Sequence, residues 1–220
     1  MAVNNHGPGT DVTLNIRHGA YLPHWTLEDA TYFITFRLAD SLPKQVLESW
    51  LFEREKIVKT AEQMGRALSI QELKRLHKLH SDRVENYLDA GHGARFMKED
   101  PIAATVANAL KHFDGERYDV AAWCIMPNHV HAVVRPHQGQ ELPDILHTWK
   151  SYTANRANKQ LGRTGEFWQT ESYDHVIRDE MEFWSCVEYV LNNPANVGLR
   201  NWKWVGVRGT SAWHGHPGRE

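Results

Sequence analysis

The order of periodic segments predicts an α+β fold in which helices pack on one antiparallel sheet. Three observations carry that expectation. The segments run strand, helical stretch, helix, strand, strand, helix, strand, helix. Two of the strands are separated only by a tight-turn signal. The first helical stretch is long and almost free of breakers, so it reads as an insertion.

Each element has a local reason. Residues 1–30 are polar and glycine-containing and are expected to be flexible. The first strand falls in residues 32–38, which are rich in aromatic and β-branched side chains. Leu42-Pro43 then opens a helical stretch over residues 44–89, within an insertion bounded at about 44–95. Leu76, Leu79 and Val84 fit a helical stripe only loosely, so the insertion reads as a solvated helical hairpin. Pro101 suits the first turn of a helix over residues 102–113, where its missing N–H costs nothing. Asp114-Gly115 ends that helix. Residues 118–126 form an apolar strand, Pro127-Asn128 a turn, and residues 129–135 the returning strand of a hairpin. A helix over residues 141–160 ends near Leu161-Gly162, and residues 172–178 alternate like a strand. Asp179 caps a last helix over residues 180–192, which is expected to stop at Pro194. The glycine-rich tail, residues 206–220, is expected to be flexible. With the insertion set aside, the order is β-α-β-β-α-β plus one helix: a ferredoxin-like, split β-α-β arrangement over residues 31–205.

Composition narrows the function. The chain has 220 residues, enough for one domain with an insertion. A net charge of −2 argues against nonspecific coating of duplex DNA but allows a local basic groove. Only two cysteines, Cys124 and Cys186, without metal spacing, suit a reducing compartment. No secretory leader pattern and no long apolar run are seen, which points to the cytoplasm and to no membrane partner.

Two segments carry candidate chemistry. In Met126-Pro127-Asn128-His129-Val130-His131-Ala132-Val133-Val134, alternation puts His129 and His131 on one face of a strand. Two imidazoles two positions apart can converge on one divalent cation and leave positions open for substrate oxygens. A histidine-triad hydrolase would need a third histidine where Val133 stands. On the last helix, Phe183, Trp184, Val187, Val190 and Leu191 fall on one apolar arc. Tyr189 falls on the opposite arc, with Asn193 one turn further along. A phenol beside a metal suits phosphoryl transfer, with the amide as third ligand or substrate guide.

Ala122-Trp123-Cys124-Ile125-Met126-Pro127-Asn128-His129-Val130-His131, followed by Gly165-Glu166-Phe167-Trp168-Gln169, Tyr173-Asp174-His175-Val176-Ile177-Arg178 and Tyr189-Val190-Leu191-Asn192-Asn193-Pro194, resemble the REP-associated tyrosine transposases. Those are single-tyrosine transposases of the HUH superfamily. The resemblance runs from about residue 32 to 204 and is interrupted by the insertion. It implies a magnesium or manganese cofactor and cleavage of single-stranded DNA folded as hairpins, as in transposition. Carried over, His129 and His131 match the metal ligands, Tyr189 the nucleophile that forms a 5′-phosphotyrosine, and Asn193 the polar third ligand. His175 matches a recurring family histidine. Two departures stand out: the insertion is longer than in minimal transposases, and asparagine stands where other branches carry glutamine.

Further DNA contacts are expected from Lys150, Arg156, Lys159 and Arg163 on the locally basic helix, and from His175 and Arg178. Trp168 either stacks on a base or packs. Tyr152 is the second-choice nucleophile. The partner is hairpin-forming single-stranded DNA, the protein a monomer or homodimer, and the location the cytoplasm at the nucleoid. The competing readings are a domesticated hairpin-binding protein without turnover and a small-molecule phosphodiesterase.

Overall fold

The computed structural model describes residues 15–18, 23–26, 30–66, 69–80, 84 and 86–208. Most of the segments expected to be flexible, residues 1–30 and 206–220, lie outside these. Within the first of them, β1 (Asn15–His18) and β2 (Pro23–Thr26) form an antiparallel two-stranded ladder.

The central sheet is built from β3 (Thr31–Arg37), β4 (Tyr118–Ile125), β5 (His129–Pro136), β6 (Tyr173–Ile177) and β7 (Val205–Val207). Its order is β6-β3-β5-β4-β7, every pair antiparallel. Without β7 this is the ferredoxin-like order expected from the sequence. β7 is an addition that the sequence reading left in the tail. Its backbone pairs with Ala122–Cys124, and Arg208 beyond it donates to the Ala121 carbonyl and to Asp119. Gly206 fits there because it lies against the Trp123 ring, 2.5 Å from where a Cβ would sit.

Both faces of the sheet are covered. On one, α4 (Asp100–His112) and α5 (Leu142–Gln160) pack over Tyr32, Ile34, Phe36, Val130, Ala132 and Val134. On the other, α6 (Glu180–Asn196) sits over Phe33, Ala122, Cys124, Val133 and Ile177. Strand alternation explains the split in β3 and β5. In β4 a bulge between Val120 and Ala122 breaks the alternation, so Ala121 and Ala122 both join the α6 side.

α6 runs past the expected stop, with Pro194 inside it. Proline there forgoes one helical hydrogen bond and crowds the carbonyl four residues back, a cost confined to the final turn. The chain then closes with Val197 N donating to Asn193 O and Leu199 N to Pro194 O, at 3.4 and 2.8 Å. The insertion is helical as expected: α1 (Lys44–Gln63), α2 (Ile70–His80) and α3 (Asn86–Asp89). Leu42, Trp50, Val84 and Leu88 form its own small core. Its end is tied back to the end of β3, where Asp40 accepts from Ala94 N at 2.9 Å. Gly93 packs on the Asp40 carbonyl at φ +75°, leaving no room for a Cβ.

Candidate active site

The site is built on the α6 face of the sheet. His129 and His131 are buried, and their Nε2 atoms face each other at 3.0 Å. Each ring is held from behind. His131 Nδ1 meets Thr35 Oγ1 at 2.8 Å, its register partner on β3. His129 Nδ1 meets Asn128 Oδ1 at 2.8 Å. The Asn128 amide nitrogen donates to the carbonyls of Leu88 and His92, both at 3.1 Å, so its oxygen is the atom turned to His129. A carbonyl oxygen only accepts, so His129 carries a proton on Nδ1, which leaves Nε2 as the atom turned to the site. Burial pushes the His131 imidazole down to about 3, so that ring is neutral.

α6 brings Tyr189 and Asn193 to the pair. The Tyr189 ring meets His131 edge-on at 5.3 Å and Phe33 at 5.7 Å, while Phe33 stacks on His131 at 5.6 Å. The sequence reading set Tyr189 and Asn193 opposite the apolar arc; the fold rotates that arc. Trp184 is exposed, Cys186 and Val190 face the sheet, Tyr189 flanks them half-buried, and Asn193 is fully buried. The helix settles with its small and polar flank toward the histidines because Phe183, Val187 and Val190 already fill the apolar contact.

One residue was missed by sequence reasoning. Asp89, at the end of α3, has Oδ1 4.0 Å from His129 Nε2. Burial raises its pKa, against the lowering effect of the Asn193 amide. Yet neither that oxygen nor either amide atom of Asn193 completes a hydrogen bond of ordinary geometry. Nothing local in the sequence flagged Asp89, because it reaches the site from an insertion some forty residues earlier in the chain.

These donors fit a divalent cation. The two Nε2 atoms stand 3.0 Å apart, a distance that suits a shared proton or two neighbouring ligands of one cation. Cis ligands of an octahedral ion with bonds of about 2.1 Å stand about 3 Å apart. The orphaned carboxylate and amide oxygens are the hard donors magnesium and manganese prefer. Among the described residues no three His, Cys, Asp or Glu side chains already close on one point, so the imidazole pair is the core of the site.

The remaining expected contacts are dispersed. Trp168 is a core residue, not a base-stacking one: it is 5% exposed, donates to Thr153 Oγ1 at 2.8 Å, and packs on Phe36. Tyr152 is exposed on α5, under the Arg156 guanidinium, and the sheet separates it from the histidines; it is no alternative nucleophile. Lys150 turns its ammonium inward to the Thr170 carbonyl at 2.7 Å. Arg163 lies over Phe96, and Lys159 and Arg156 are exposed. His175 pairs with Glu182 at 2.8 Å, and Arg178 is exposed beside it.

Residues 97–193 match the family model described as transposase, IS200 like. An uncharacterised protein of Haemophilus influenzae is 28% identical over a match covering 32% of this chain and 51% of that protein, so the chain spans about half the length of that relative. Among solved structures, a REP-associated tyrosine transposase bound to a REP hairpin is similar at 14% identity and a TM-score of 0.39, covering 84% of this chain and 76% of that one. A putative transposase of Deinococcus radiodurans is similar at 12% identity and a TM-score of 0.29, covering 74% and 89%. The segment similar to the IS200-like transposase family takes in both histidines, the tyrosine and Asn193, and spans somewhat under half of the chain.

Proposed function

We propose that the protein is a metal-dependent endonuclease and strand transferase for single-stranded, hairpin-forming DNA, with Tyr189 as nucleophile. The observation that carries this reading is the edge contact of Tyr189 with His131, beside two Nε2 atoms 3.0 Å apart. In this reading His129 and His131 hold magnesium or manganese, with Asn193 and Asp89 as neighbouring oxygen donors. A bound divalent ion supplies Lewis-acid stabilisation of charge on the phosphate oxygens. Thr35 and Asn128 hold the imidazoles from behind, so that the two Nε2 atoms stay turned toward one common point. Phe33 touches both His131 and Tyr189 and so sets the phenol against the pair.

The covalent step follows from these positions. The Tyr189 oxygen bonds to phosphorus, the bond from phosphorus to the 3′ oxygen breaks, the phenol loses its proton and the departing oxygen gains one. The 5′ end stays on the protein as a phosphotyrosine. Attack by another strand's 3′-hydroxyl reverses the step and restores the phenol, which is strand transfer. Such an enzyme meets its substrate at the nucleoid.

The test is a covalent-adduct assay on single-stranded hairpins with manganese. Wild type should leave protein attached to one product, and Tyr189→Phe should leave none. An undiminished adduct in that variant would refute the assignment. Hairpin binding without nicking under any divalent ion would favour the domesticated binding protein instead.

A further inference from the structure

Two guanidiniums are buried between α1 and the end of β3, and the chemistry above does not use them. Arg37 ends β3 and pairs with His129 in the ladder, so its side chain leaves the sheet on the histidine face. Arg54 belongs to the buried stripe of α1, Trp50, Arg54, Ile57 and Ala61, at a spacing where an apolar residue is the rule. The two are 1% and 4% exposed. Each guanidinium carbon stands 5.8 Å from the Trp50 ring centroid. Arg37 Nε and Nη2 and Arg54 Nη2 are buried without an acceptor. Among the described residues neither arginine has a carboxylate oxygen within ion-pair distance.

Such an arrangement is expensive unless something completes it. Buried charges are normally paired, and a lost partner leaves the desolvation cost unopposed. Burial pulls both arginines down to about 10, with Glu171 opposing at longer range, so both remain charged at neutral pH. Lys150 adds a third positive charge to the same neighbourhood. A planar guanidinium fork matches the oxygens of an oxyanion such as a phosphate with two parallel hydrogen bonds.

We infer that Arg37 and Arg54 form a buried oxyanion pocket that receives a backbone phosphate of the bound strand, next to the one held at the histidines. This rests on the single-stranded-DNA reading above. The alternative, two arginines that merely stack on Trp50, predicts no response to anions.

The test uses the intact chain. Inorganic phosphate, titrated against chloride at constant ionic strength, should raise the wild-type melting temperature by roughly 2–4 °C. No rise overturns the pocket. Arg54→Met removes the charge and keeps the bulk; it should fold without phosphate and lose the response, and a retained response overturns the pocket. Hydrogen exchange on wild type covers the case in which that variant does not fold: phosphate should slow exchange in the α1 turns around Trp50 and Arg54, and unchanged exchange counts against it. With single-stranded DNA, Arg54→Met should lower the slope of log affinity against log salt by about 0.7. An unchanged slope beside an intact phosphate response would make this a free-anion site and refute the DNA contact. None of these readouts involves cleavage, so failure of the Tyr189 adduct would retire the enzymatic reading while leaving this one standing.

Discussion

At the scale of residues, the site is a set of polar groups held in costly positions. Asn193 is buried with neither amide atom completing a hydrogen bond of ordinary geometry, and burying such a group costs about 1–3 kcal/mol. Asn193→Leu should therefore raise the melting temperature of the metal-free protein while weakening manganese binding. Calorimetric titration and thermal denaturation check the two halves, and a variant that is less stable and binds manganese normally would contradict both. His131 gives a pH prediction. Its folded value of about 3 lies below the roughly 6.5 of an unfolded imidazole, so between these the unfolded chain binds a proton that the folded chain does not. In metal-free buffer this contribution to stability is fully present above about pH 6.5 and is lost as pH falls toward 3, by at most about 1.4 kcal/mol per pH unit. Denaturant midpoints across that range should fall with acid in wild type and fall less steeply in His131→Gln.

At the scale of elements, two small features hold the site's parts in register. Asp179 caps α6 by accepting from Glu182 N at 2.8 Å, and Glu182 in turn accepts from Arg178 N and pairs with His175. Asp179→Ala should cost about 1 kcal/mol, near 2–4 °C in melting temperature, and loosen the helix that carries Tyr189. This gives His175 a role in seating α6 that its motif alone did not reveal. Gly93 joins the insertion to the end of β3. Gly93→Ala would drive a Cβ into the Asp40 carbonyl at a positive φ and should destabilise by more than the roughly 1 kcal/mol of a simple glycine replacement. Exchange protection should fall first in the insertion, and a uniform loss across the sheet would argue against that local origin.

At the scale of the whole molecule, the insertion proves to be part of the site. Asn128 links them, with its oxygen on His129 and its nitrogen on the carbonyls of Leu88 and His92, and Asp89 follows directly. Metal binding should therefore stabilise insertion and sheet together. Manganese at one hundred times its dissociation constant should add about 2.7 kcal/mol to wild type. Asp89→Asn should bind manganese at least several-fold more weakly, and an unchanged titration would remove Asp89 from the donor set.

Much of this was legible in the chain. Alternation alone sets His129 and His131 on one face, and the segment order alone gives the four-strand core with α4 and α5. The period of two is a property of the extended backbone, and no neighbour can change it. Tertiary structure decided the rest. Which flank of α6 turns inward depends on where Phe183, Val187 and Val190 find the sheet, so Tyr189 and Asn193 could be placed on a helix but not in a contact. The bulge at Ala121, the pairing of β7, the burial of Trp168 and the approach of Asp89, Arg37 and Arg54 all depend on partners far away in sequence. Local pattern records what a residue's own backbone will do; the site is made by residues that meet only when two faces of a sheet and an insertion close on one another.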